Sequence, residues 1–406
     1  MRKLITVAAA LLLLPVVSQA KGLEDLLVEK GVITKSEARA SVHEGGSKVY
    51  WKKGTRLEFP DTGFTAKIKT EVQTRYEFVD TDTDDSNVSN FDIDRARITL
   101  AGSALHEEFD YKLAVDFSNG TASVRDAYLQ WNACDWGNIR MGQHKPVFSR
   151  QTLGSTTKIQ FADRSVVSEF FGVDRGRGLS FATGLGDDWE AAAQVFNGLS
   201  TGEGRSEDGN DTNHLAVLGV RGDLMGEMDA TEEGDLNHTE GTAVNVGAAV
   251  IFAENELDFV ADTVDEFGVS ADVNLKSEGF SFHGEYYYLE HDADSLSEAI
   301  ESTGFYAQAG YFFVPKEWEV AARYGFIDCD DGRAIGNDRE GGIGDGANVC
   351  NGNDDVNEVS ASLNYHWWKQ HLKAQLGYSL LSPNAVNDSD LDADEARWVL
   401  KVSSTF

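Results

Sequence analysis

The segment Ala396-Arg397-Trp398-Val399-Leu400-Lys401-Val402-Ser403-Ser404-Thr405-Phe406 alternates in polarity and ends on an aromatic residue. Successive side chains of a strand point to opposite faces, so Trp398, Leu400, Val402 and Phe406 share one face and Arg397, Lys401, Ser403 and Thr405 the other. In a membrane barrel the first face meets lipid and the second meets the lumen. The edge strand of a soluble sandwich has the same pattern, so this segment alone leaves both folds open.

The opposite end of the chain narrows the choice. Arg2 and Lys3 precede an apolar run from Leu4 to Leu14, then Pro15 and the small-residue site Ser18-Gln19-Ala20. This is the pattern of a secretory signal peptide over residues 1–20, cut after Ala20. The run is shorter than the roughly 20 apolar residues of a membrane helix, and nothing after it approaches that length. No Cys follows the signal, which removes a lipoprotein, and three cysteines exclude a disulfide-rich scaffold. The formal net charge is −33, or −35 once Arg2 and Lys3 are removed, which disfavours nucleic acid as a partner.

Sixteen runs show period-two alternation bounded by turn residues: 64–79, 90–102, 109–118, 123–132, 137–145, 176–185, 188–197, 212–222, 242–253, 264–276, 279–290, 303–313, 316–327, 355–367, 369–381 and 393–406. An even number closes a bacterial single-chain barrel. Short connections such as Gly186-Asp187 and Val314-Pro315 alternate with long ones at 80–89, 146–175, 198–211, 291–302, 328–354 and 382–392. That rhythm predicts short periplasmic turns and long external loops on an all-β, antiparallel transmembrane barrel over residues 61–406. One segment breaks it: Asp223 to Gly241 is long and acidic where a short turn is expected. Either a strand is misplaced there or the turn is decorated. Tyr286, Tyr288, Trp318, Tyr365, Trp367 and Trp398 lie near strand ends, where an aromatic girdle sits.

Residues 21–60 read as a periplasmic helical hook and linker, because Leu23, Leu26 and Leu27 share a helical face, Gly31 suits a C′ position, and Thr34 with Glu37 makes a capping box.

The segments Asp94-Arg95-Ala96-Arg97-Ile98, Phe109-Asp110-Tyr111-Lys112-Leu113, Asp126-Ala127-Tyr128-Leu129, Met141 to Ser149 and Arg175-Gly176-Arg177-Gly178-Leu179 resemble successive blocks of the phosphate-selective porin O and P family. The hook segment Leu26 to Thr34 resembles it too. The resemblance covers roughly residues 23–185, with the rest matched by barrel rhythm. It implies a sixteen-stranded homotrimeric porin whose third external loop folds into the lumen, with arginines and lysines guiding anions.

Charge placement bears on the same point. Alternation turns Lys67, Lys69, Arg75, Arg95, Arg97, Lys112, Arg140, Arg177, Arg323, Lys373 and Lys401 into the lumen, against Glu71, Glu77, Asp116, Asp126, Glu285 and Glu319. The wall is thus net basic inside an acidic chain, while the surplus acids fall in connections, among them Asp80, Asp82, Asp84, Asp85, Glu203, Glu207, Asp208, Asp338, Asp345 and Asp388. Rings of Arg or Lys suit anion pores. The candidate anion site is Arg95, Arg97, Lys112 and Arg140, with Arg175 and Arg177 entering from the end of loop three and Lys67, Lys69 and Arg75 lining the wall. The alternative is that these arginines pair with Glu71, Asp116 and Asp126 to stiffen the barrel.

Loop three, about Pro146 to Asp174, carries Arg150, Lys158, Phe161, Arg164, Phe170 and Phe171 beside Lys145, a length and composition that suit an inward-folded constriction. Cys329 and Cys350 bracket one long loop and suit a disulfide, leaving Cys134 at a turn, although any pair among three is formally allowed. The sequence lacks a Gly-x-Ser-x-Gly elbow, a His-Glu-x-x-His pair and a haem-attachment motif, so it reads as no enzyme, with no cofactor and no defined metal loop. The expected function is a passive channel for small hydrophilic solutes, leaning to anions such as phosphate. The expected surroundings are outer-membrane lipid and lipopolysaccharide. A general or cation-leaning porin, a non-conducting structural or adhesin barrel and an outer-membrane phospholipase are the alternatives.

Overall fold

The computed structural model describes residues 46–81, 87–118, 120–134, 136–197, 214–257, 262–293, 298–330, 349–350, 353–385 and 394–406. The expected signal peptide, the expected helical hook up to residue 45 and many of the acidic loop residues, including Asp82, Asp84, Asp85, Glu203, Asp338 and Asp388, lie outside the described residues.

Strands follow one another along the chain: β1 (Lys48–Trp51), β2 (Thr55–Phe59), β3 (Phe64–Thr81), β4 (Val88–Ala104), β5 (Phe109–Asp116), β6 (Ser123–Cys134), β7 (Gly137–His144), β8 (Gly176–Leu185) and β9 (Trp189–Asn197). The second half adds β10 (His214–Met225), β11 (Ala243–Leu257), β12 (Asp262–Ser277), β13 (Phe280–Ala293), β14 (Ile300–Val314), β15 (Trp318–Asp328), β16 (Asn353–Trp368), β17 (Leu372–Ala385) and β18 (Glu395–Thr405). From β3 to β18 each strand pairs antiparallel with the next, and β18 returns to β3 with Glu395 opposite Thr81 and Thr405 opposite Glu71. The result is a closed sixteen-stranded barrel, and each alternating run of the sequence overlaps one of its strands. Closure is what a lipid environment demands, since an open edge would leave backbone N–H and C=O groups without partners.

The outer surface is apolar and the interior polar. On β18, Trp398 and Leu400 are about half exposed, while Lys401 and Ser403 are buried. On β3, Ile68, Val72 and Tyr76 face outward, with Glu71 and Gln73 buried inside. No described helix is long and apolar enough to cross a membrane. The short turns are tight, as at Glu278-Gly279, where both residues have positive φ and suit a two-residue hairpin. Residues 48–59, which sequence placed in the hook and linker, form a hairpin: β2 pairs with the start of β3, and Trp51 of β1 stacks on Trp368 at 5.2 Å.

The connection from Lys145 to Arg175 folds into the lumen. It carries two short helices, α1 (Arg150–Leu153) and α2 (Val166–Phe171), whose Ser149 and Ser165 hydroxyls accept the N–H groups of Thr152 and Val167. Wall side chains capture its backbone. Lys373 Nζ donates to the Ile159 carbonyl at 2.7 Å, Lys401 Nζ to Ala162 at 2.7 Å, and Arg323 to Asp163 and Arg164 at 3.3 and 3.1 Å. Glu285 accepts the N–H groups of Arg150 and Gln151, and Glu358 that of Val166. Apolar residues of the loop, Phe148, Val166, Val167 and Phe171, pack against Phe196, Ile251, Tyr287 and Ile327 of the wall. The buried disulfide Cys329–Cys350 joins the same cluster and leaves Cys134 free.

The long acidic connection at 226–242 is a decorated turn, not a misplaced strand. It follows β10 on the side of the short turns, and its residues from Glu232 to Leu236 are buried.

Arg323 Nε donates to Glu358 at 2.7 Å with both side chains buried, and its guanidinium lies over the Phe161 ring at 4.2 Å. Arg323→Met leaves the Glu358 charge buried without its cationic partner and is expected to cost roughly 3–5 kcal/mol. The unfolding midpoint of the purified barrel, followed by heat-dependent gel mobility, should fall, and Arg323→Met/Glu358→Gln should recover most of the loss.

Candidate functional site

Packing the inward loop against one side of the barrel leaves a cavity of about 460 Å³ along the other, between the loop and the wall from β3 to β9. Ten of its lining side chains are basic: Lys67, Lys69, Arg95, Arg97, Lys112, Arg125, Arg140, Lys145, Arg164 and Arg175. Two, Glu71 and Asp126, are acidic. The floor between the lysines is made of small residues, because Ala101 lies opposite Lys67 on one neighbour and Lys112 on the other, and Thr99 lies opposite Lys69.

The cations are held in position. Arg97 is bound to Asp116 at 2.9 Å, with Arg95 3.6 Å from the same carboxylate. Lys112 and Arg175 share Asp126 at 3.1 and 3.0 Å. Arg140 has no carboxylate partner among the described residues; Gln130 Oε1 accepts from its Nε and Nη2, and its guanidinium lies 4.5 Å from the Tyr128 ring centre. Lys145 Nζ donates to the carbonyls of Leu153 and Gly154 at 3.2 and 2.9 Å, closing the loop's entry onto its own first turn. Arg125 is bound to Asp174 at 2.8 Å. Burial works to raise the Asp174 carboxyl, but Arg125 and Arg175 outweigh it and hold the group well below the usual carboxylate range.

Of the nine residues singled out from sequence, seven line this cavity: Lys67, Lys69, Arg95, Arg97, Lys112, Arg140 and Arg175. The other two do not. Arg75 is bound to Asp94 at 2.8 Å, Glu77 at 3.2 Å and Asp163, so it anchors the loop to β3. Arg177 has the parity of Leu179 and Phe181, which are exposed on the outer face, and it donates to Gln143 on β7. Arg175 precedes β8 and is not bound by that parity, which is why it turns inward and Arg177 does not.

Sequence alternation missed Arg125, whose neighbour Asp126 points into the lumen. The ladder between β5 and β6 carries a register shift, with Ala114 opposite Asp126 and Val115 opposite Val124, so Arg125 is the extra residue of a bulge and turns to the cavity. A signal was available, since an Arg turned to lipid costs roughly 2–4 kcal/mol at the bilayer midplane.

A closed barrel of sixteen strands with an apolar outer surface and a charged, partly open lumen is a porin, a passive channel of the outer membrane. The chain belongs to the family of phosphate-selective porins O and P, whose model matches residues 66–401. A protein of Aquifex aeolicus (strain VF5), described as uncharacterized, is 25% identical over 392 residues, covering 82% of this chain and 86% of that one. Among solved structures, the outer membrane channel DcaP of Acinetobacter baumannii is similar at a TM-score of 0.59 and 14% identity, covering 86% of this chain and 99% of that one. The anion-selective porin from Comamonas acidovorans is similar at 0.56 and 13%, covering 84% and 100%. The trimer form of OmpT from Vibrio cholerae is similar at 0.55 and 11%, covering 84% and 99%. At these identities the likeness to the solved structures is one of fold.

If solute passes along this cavity, filling its small-residue floor must obstruct it. Ala101→Phe is expected to lower single-channel conductance severalfold with the heat stability of the barrel unchanged. Unaltered conductance would place the path elsewhere.

Proposed function

We propose that this porin carries small anions, phosphate among them, by passive diffusion along its cationic wall. One observation carries the proposal: the lumenal cavity has ten basic and two acidic lining side chains in a chain of net charge −33. Low-dielectric walls strengthen the field of such a cluster and raise the local concentration of anions. Arg95 and Arg97, two residues apart on β4, offer planar guanidiniums suited to paired contacts with phosphate oxygens. The family name and the anion-selective porin from Comamonas acidovorans agree with this reading.

The same reading takes residues 1–20 as a cleaved signal, 21–60 as the periplasmic hook and linker, and 61–406 as the barrel. It takes the assembly as a homotrimer, in keeping with the trimer form of OmpT, with lipopolysaccharide around the outer rim. The protein acts as a channel and not as an enzyme. A second reading, a weakly selective general porin, is favoured by the pairing of Arg97 with Asp116 and of Lys112 and Arg175 with Asp126, which offsets part of the positive charge.

Reversal potentials in a KCl gradient, followed by titration with phosphate, separate the two. The wild type is expected to be anion-selective and blocked by phosphate. Arg95→Ala/Arg97→Ala should weaken that block by about tenfold or more, since a hydrogen bond to a charged group is worth roughly 1.5–3 kcal/mol. Phosphate-indifferent, weakly selective steps would establish the general porin.

A further inference from the structure

The lumen is divided into two unlike halves. Inward side chains of β3 to β7 such as Lys67, Arg97, Lys112 and Arg140 are only partly covered. Inward side chains of β12 to β18, among them Glu285, Gln308, Glu319, Asn364, Gln375 and Ser403, are almost wholly buried. An unfilled barrel of this strand number leaves an aqueous channel across its whole section. Something therefore closes the β12 to β18 half, and the inward loop, which enters from the side of the long connections, is one part of it.

The other part is the 226–242 segment, which enters from the opposite mouth. We propose that this segment is a selectivity element: a strut that seals the β12 to β18 half of the lumen and confines ions to the cationic wall of the cavity. It rests on the reading of that wall as the conducting path.

The contacts are those of a docked element. The Glu233 carboxylate accepts the Gln160 N–H, the Gln151 side chain and the Gln308 side chain, each at 2.8 Å. Lys158 of the inward loop reaches Asp229 at 2.6 Å and Thr231 at 3.1 Å. The wall holds it as well, through Lys276 Nζ to the Asp229 carbonyl at 2.8 Å, Asn274 to the Ala230 carbonyl at 3.1 Å and Gln370 to Glu232 at 2.8 Å. At Gly234 the backbone comes so close to the wall that a Cβ would stand 2.4 Å from the Glu319 carboxylate. It also covers the buried Glu319 carboxylate, which would offer cations a path if exposed. A turn of two or three residues would suffice to join β10 to β11, so the additional length has its consequence in the lumen.

Two variants test this in planar bilayers, using the refolded chain: Asp229–Asn237 replaced by Gly-Ser-Gly, and Glu233→Ala, which removes the strut's bonds to Gln160, Gln151 and Gln308. Heat-dependent gel mobility verifies the barrel in each. Single-channel conductance is expected to rise about twofold or more as the free section of the lumen widens, with reversal potentials moving toward the cation side. Unchanged or reduced conductance in folded variants would overturn the proposal. If the wild type proves not anion-selective, the reading of the wall fails, while a conductance rise in the variants still supports the strut. Should either variant not fold, Lys158→Ala provides a further readout: losing its bonds to Asp229 and Thr231 loosens the strut and is expected to raise conductance, and an unchanged or lower conductance would overturn the proposal.

Discussion

Closure of the backbone hydrogen-bond ladder is the constraint from which everything else in this protein descends. In lipid each unpaired N–H or C=O costs several kcal/mol, so β18 must find β3. The terminal residue takes part, as Phe406 and Thr70 exchange backbone hydrogen bonds at 2.7 and 2.9 Å. Once the sheet is closed, the period of two leaves each side chain a choice between lipid and lumen. The interior is then filled with polar and charged groups that would be ruinous in a soluble core.

That interior is stable because its charges are partnered by backbone as well as by each other. Lys373, Lys401 and Arg323 donate to carbonyls of the inward loop, and Glu285 and Glu358 accept its N–H groups. A loop threaded through a lumen carries many backbone groups that water would otherwise satisfy, and the wall replaces water one bond at a time. The apolar cluster around Phe171 and Tyr287, stacked at 5.2 Å, adds burial on the same side. The loop is therefore a fixed wall of the pore, and the cavity is the space left on the side where the barrel's own residues are lysine and arginine.

Much of the site could be read before the fold. Lys67, Lys69, Arg97, Lys112 and Arg140 lie on regular stretches of strand, where parity alone assigns the face, and Arg95 stands at the edge of a register shift in β4. Arg125 sits on a bulge, where parity fails for one residue. Alternation turns Arg177 inward, yet in β8 it shares the parity of the outward Leu179 and Phe181, while Arg175 lies before the strand. Arg75 does face inward, but its meaning depends on Asp163, which is far away in the chain and near only because the loop folds back.

The sequence by itself determined the barrel, its sixteen strands, the placement of long and short connections, and the basic character of one stretch of wall. These are properties of local alternation and turn chemistry. Only the tertiary structure decided which half of the lumen stays open. That depends on contacts between segments distant in the chain, Gln160 with Glu233 and Lys158 with Asp229, which no local pattern encodes. The same side chains on an unfilled barrel would line a wide and mixed pore. Here the loop from one mouth and the turn from the other occupy the space beside the β12 to β18 wall and take up its charged groups, and the cations of the opposite wall face what remains.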